Sequence, residues 1–111
     1  MSKLTGCTIL IVEDKALVAM VLVQAVQDEG GIPITCATET EALLAINTTK
    51  LSAAILDDVI CQAHPEVCQL LRDRGVPYVL HQSLAEVHGT GAAGSADALM
   101  DRVADLLKQA P

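Results

Sequence analysis

A chain of 111 residues, 51% of them hydrophobic, makes one domain around one core: it is too short for two cores and too apolar for disorder. Its formal net charge of −7, with only seven scattered basic residues, argues against binding nucleic-acid backbone or an anionic membrane, both of which need clustered Lys and Arg. No run approaches the roughly 20 apolar residues that cross a bilayer, no apolar leader follows Met1, and the four cysteines read as thiols, so a cytoplasmic protein is expected.

Tyr78 is the single aromatic residue. The core must then be built from Ala, Val, Leu and Ile, a palette that suits a parallel sheet with helices on both faces. The first strand, Thr8-Ile9-Leu10-Ile11-Val12, runs straight into Glu13-Asp14. Acids are poor strand residues and costly to bury unpaired, so a strand ending this way delivers them to a ligand or a cation. Residues 15–29 read as a helix stopped at Gly30-Gly31, where glycine can take the left-handed position. Val18, Val21, Leu22, Ala25 and Val26 form a stripe suited to packing on a sheet. Ala16, Met20 and Val23 fall on the other side and are candidates for contact with a partner or a second copy.

Residues 32–37 form a second strand, with Pro33 placing it at a sheet edge. Thr38-Glu39-Thr40-Glu41 spells a capping box that opens a helix over residues 42–46. A third strand over residues 51–56 again ends in acid, at Asp57-Asp58. The next helix starts at Pro65 and stops at Gly75, with Val67, Leu70 and Leu71 facing inward. A fourth strand covers residues 76–80 and continues into His81-Gln82-Ser83. Residues 84–94 carry only weak periodicity, and Ser95 caps a final helix with Leu99, Val103, Leu106 and Leu107 at core positions.

This alternation predicts an α/β fold, a doubly wound parallel sheet over about residues 7–108, with right-handed crossovers and no internal linker. Ligands of such sheets sit beyond the carboxyl ends of the strands, so Glu13-Asp14 and Asp57-Asp58 share one edge. Gathered carboxylates repel one another, and a divalent cation relieves them. Mg²⁺ suits such oxygen ligands, and beside it one carboxylate can act as a nucleophile toward phosphorus.

The acidic pair Glu13-Asp14, the single Asp57 after an apolar third strand, and Arg74-Gly75-Val76-Pro77-Tyr78-Val79 leading into the fourth resemble the receiver domains of two-component response regulators, which have a flavodoxin-like fold. The likeness runs from about residue 8 to residue 83 and resumes over residues 95–107. It implies a stand-alone receiver with no output domain, placed in a phosphorelay. Asp57 would accept a phosphoryl group from a histidine kinase or phosphotransfer protein, and a downstream protein partner would read the result. Mg²⁺ would be held by Glu13, Asp14, Asp57 and the backbone carbonyl of Val59. Such a domain is a signalling protein and not an enzyme, with at most self-catalysed phosphoryl transfer. Asp58 is expected to face solvent, and Tyr78 to serve packing.

The family pattern breaks after the fourth strand. Alignment on Pro77 puts Gln82 where receivers carry a Ser or Thr hydroxyl, with Ser83 one residue late. The lysine at the end of a receiver's fifth strand has no counterpart, because no Lys lies between Lys50 and Lys108. Only twelve residues separate Gln82 from Ser95, where a helix, a strand and two connections need about twenty. The fourth helix and fifth strand region is therefore shortened, one of the two being missing or vestigial; loss of the helix is the favoured reading, with a short strand over residues 84–88 and a flexible loop over 89–94. Switching should be altered, since the missing lysine removes a charge-assisted bond to the phosphoryl group. The alternative is a degenerate pseudo-receiver, a phosphorylation-independent interaction module or homodimer built on the first helix. Two further constellations are weaker. Cys61, His64 and Cys68 offer three zinc ligands where a structural site wants four. Cys61 or Cys68 with His81 lacks an orienting group for nucleophilic catalysis.

Overall fold

Side chains along a strand alternate between the two faces of a sheet, and this decides where each helix packs. In the computed structural model of the protein, which describes residues 3–81 and 92–109, the order is β1 (Thr8–Val12), α1 (Ala16–Asp28), β2 (Ile32–Cys36), α2 (Glu39–Thr48), β3 (Ala53–Asp57), α3 (Asp58–Ala63), α4 (Pro65–Asp73), β4 (Tyr78–His81) and α5 (Ala92–Gln109). Among the described residues the sheet has four strands, all parallel, in the order β2-β1-β3-β4. Ile9, Ile11 and Ile55 meet Val18, Leu22 and Val26 of α1 and Leu99, Met100 and Val103 of α5 on one face. Leu10, Val12 and Leu56 meet α2, α3 and α4 through Ala42, Ile46, Ile60, Val67 and Leu71 on the other. With both faces covered, the strands read as unbroken apolar runs.

Backbone caps set the helix ends. Gly30, at φ +83°, and Gly31 return their N–H groups to the carbonyls of Gln27 and Val26, both at 2.9 Å, which closes α1. Gly75 and Val76 close α4 the same way, on Arg72 and Leu71. The Thr38 hydroxyl accepts from the Glu41 N–H at 3.2 Å and caps α2. The Glu41 carboxylate reaches back one residue further than a capping box predicts, to the Ala37 N–H at 2.8 Å.

Several boundaries differ from the sequence reading, each for a local reason. β4 begins at Tyr78 and not at residue 76, because the Val76 N–H is spent closing α4 and Pro77 has none to give. The short helix α3 is absent from the sequence reading; the Asp57 carboxylate opens it by accepting the Val59 N–H at 2.9 Å. α5 begins at Ala92, so Ser95 lies inside that helix and does not cap it. Leu106 and Leu107 are half-buried, while Met100 and Ala104 are buried beside Leu99 and Val103. The cysteines are not all thiols: the end of α3 and the first turn of α4 lie side by side, and Cys61 is bonded to Cys68. Cys7 and Cys36 are free. The strand expected over residues 84–88 and the first part of the loop expected over 89–94 fall outside the described residues, whereas residues 92–94 of that loop open α5. Among the described residues no helix is long and apolar enough to cross a membrane.

Candidate cation site at the strand ends

The chain turns from β2 on one side of β1 to β3 on the other, so β1 and β3 flank the point where strand order reverses. Crevices form outside the carboxyl ends of strands at such a point. β1 and β3 deliver their acids there in step. Val12 is registered with Leu56, and the Glu13 N–H extends the ladder by donating to the Cys36 carbonyl at 3.0 Å. Glu13 and Asp57 are buried, with 3% and 2% exposure, and Asp14 is exposed. One carboxylate oxygen from each lies within 4.8 Å of the others.

Each buried acid is oriented by a backbone amide. Glu13 Oε2 accepts the Lys15 N–H at 3.0 Å, which fixes the turn into α1, and Asp57 Oδ1 holds the Val59 N–H. Charge compensation comes from a residue that the sequence reading passed over. The Lys15 ammonium stands 3.7 Å from Asp14 Oδ1 and 3.8 Å from Asp57 Oδ2. Its place directly after the acidic pair was the available signal. Beside Glu13 lies His81, the last residue of β4 and the register partner of Asp57, which the sequence reading weighed only as a partner for cysteine. Its side chain is fully buried, and its Nε2 is 3.6 Å from Glu13 Oε1, too far for a hydrogen bond. Neither ring nitrogen has a hydrogen-bond partner among the described residues, and a buried polar atom left this way costs about 1–3 kcal/mol.

The structure therefore brings Glu13, Asp14 and Asp57 together, and this donor set fits a hard divalent cation such as Mg²⁺. Val59, whose carbonyl was expected to join them, sits in the first turn of α3, two residues after Asp57, and donates its N–H to the Asp57 carboxylate. Asp58, expected to face solvent, is half-buried in the same turn. Gln82 and Ser83 lie outside the described residues. Tyr78 packs against the α2–α4 side of the core, and its hydroxyl accepts from Arg72 at 2.6 Å.

The zinc and thiol-nucleophile readings both fail, because the sulfurs of Cys61 and Cys68 are bonded to each other. His64 instead lies 3.5 Å from Glu39 and forms a second, more exposed cluster with Glu39 and Glu66. The Glu66 carboxyl is held below the usual range, first by its own backbone amide and then by Glu39, with the His64 charge adding.

The outward face of α1 is partly as expected. Ala16 and Met20 are exposed, Met20 at 65%, and Leu17 joins them at 69%. Val23 does not belong with them, since it is half-buried against the core. Ala16, Met20 and Val23, with Ala19, Gln24 and Thr35, line a groove of about 400 Å³ between α1 and β2.

No protein-family model matches the sequence, and no curated protein matches it. A solved structure of an uncharacterized protein from Neptuniibacter caesariensis aligns with a TM-score of 0.56 at 13% identity, covering 95% of this chain and 92% of that chain. At that identity the likeness shows the fold alone.

Proposed function

We propose that this chain is an atypical receiver-like phosphoacceptor, with Asp57 taking a phosphoryl group from a histidine kinase or phosphotransfer protein in a cytoplasmic phosphorelay. The observation that carries the reading is the meeting of Glu13, Asp14 and Asp57 at the strand-order reversal. The strand order supports it too, since β2-β1-β3-β4 is the first four places of the flavodoxin-like order.

Asp57 Oδ1 is held by the α3 amide, so Oδ2, on the Lys15 side, is the attacking oxygen. Its bond to phosphorus forms as the bond from phosphorus to the donor's histidine nitrogen breaks, and that nitrogen keeps the electron pair and takes up a proton. Glu13, Asp14 and Asp57 would hold Mg²⁺, which supplies charge neutralisation for the transferred group. Lys15 adds a cation beside Asp57 Oδ2, so the charge-assisted bond that receivers draw from their fifth strand comes here from the start of α1. Because Asp57 is buried, Lys15 must swing outward to admit the donor.

Incubation with Mg²⁺ and a small phosphodonor, read by intact mass, should add one phosphoryl group, and Asp57→Asn should abolish the addition. No added mass on the wild-type protein would sink this reading. The exposed Leu17 and Met20 favour a second one, a pseudo-receiver that acts through α1 as a homodimer or interaction module.

A further inference from the structure

We propose that the buried His81 imidazole is a nitrogen ligand of the Glu13, Asp14 and Asp57 site, so that the site prefers a divalent transition metal such as Co²⁺ or Zn²⁺ to Mg²⁺. The inference rests on reading the acidic cluster as a cation site and goes beyond it in naming the ion's chemical class. Three observations carry it. First, both His81 ring nitrogens are buried and have no hydrogen-bond partner among the described residues. Second, the 3.6 Å between Nε2 and Glu13 Oε1 is too long for a hydrogen bond but close to the spacing of two donors on one ion. With bonds of about 2.1 Å, donors around a tetrahedral ion stand roughly 3.4 Å apart. Third, β3–β4 pairing registers His81 with Asp57, so the imidazole borders the carboxylates at Glu13 without falling within 4.8 Å of all three, and its ring turns toward them when an ion enters. Lys15 approaches Asp14 and Asp57, whereas His81 approaches Glu13, so the two do not compete for one oxygen.

Imidazole is a borderline donor that suits Co²⁺, Ni²⁺ and Zn²⁺, whereas Mg²⁺ takes oxygen ligands and holds its waters. A site of three carboxylates alone would leave the choice of ion to size and availability. One nitrogen donor tilts it.

The test uses the full chain carrying His64→Ala and His88→Ala, which removes the Glu39, His64 and Glu66 cluster and leaves His81 as the sole histidine. Calorimetric titration should show Co²⁺ binding at least about tenfold tighter than Mg²⁺, and His81→Gln should erase that margin by weakening Co²⁺ binding. His81 is buried and its replacement can unfold the chain, so a second measurement keeps the histidine. With ¹⁵N-labelled imidazole, one ring nitrogen resonance should move on addition of Zn²⁺. Equal Co²⁺ and Mg²⁺ affinities with unmoved imidazole resonances would overturn the His81 ligand and leave the cation site standing. A thiolate charge-transfer band in the Co²⁺ spectrum would place the ion on cysteine and overturn it as well. No divalent binding of any kind would overturn the inference together with the cation site beneath it.

Discussion

Lys15 follows the acidic pair directly, and its side chain folds back so that one ammonium faces both Asp14 and Asp57. Lys15 is half-exposed and the contacts are long, at 3.7 and 3.8 Å; the pair with the exposed Asp14 contributes about 0–1 kcal/mol, whereas the Asp57 carboxylate is buried. These contacts still set the site's charge. Lys15→Ala should tighten Mg²⁺ binding by up to about fivefold in calorimetric titration, because a repelling cation is removed; weaker binding would mean that Lys15 does not stand against the cation. Glu13, Asp14 and Asp57 were legible in the sequence because each interrupts or ends an apolar strand. Lys15 and His81 were not. The first depends on a side-chain conformation, and the second on which residue of β4 is registered with Asp57, and neither leaves a local pattern.

At the scale of elements, the alternation of strand and helix was readable because apolar runs, glycine stops and the Thr38 cap all agree with the structure. α3 was hidden because its opening signal, Asp57, also reads as a strand ending in acid, while Pro65 announces a helix start seven residues after α3 has begun at Asp58. Ser95 misplaced the start of α5, since a serine inside a helix looks the same in sequence as one that caps it. Two predictions belong here. Gly30→Ala should cost about 1–2 kcal/mol in chemical denaturation, as its φ of +83° disfavours any side chain and the new Cβ would lie 2.8 Å from Thr5 Oγ1. Reducing the Cys61–Cys68 bond, which closes a loop across a sequence separation of 7, should lower stability by about 2 kcal/mol, measured as the shift in denaturation midpoint with and without a thiol reductant. An unchanged midpoint would mean that the bond constrains nothing that unfolding releases.

Across the whole molecule, two cores separated by one sheet hold the acidic edge from both sides, so the site geometry depends on strand pairing more than on loops. That arrangement leaves the outer face of α1 available. If Leu17 and Met20 form a contact between copies, sedimentation should show a concentration-dependent dimer that Met20→Glu dissociates, since an interface core does not tolerate an unpaired carboxylate. A wild-type monomer at every concentration would remove the homodimer from consideration.

Among the described residues β4 pairs only with β3. Arg102 of α5 reaches the other side of β4 and donates to the Leu80 carbonyl at 2.9 Å. A guanidinium placed there occupies an acceptor that an incoming strand would use. The same helix that seals one core thus also ties down the outer side of β4.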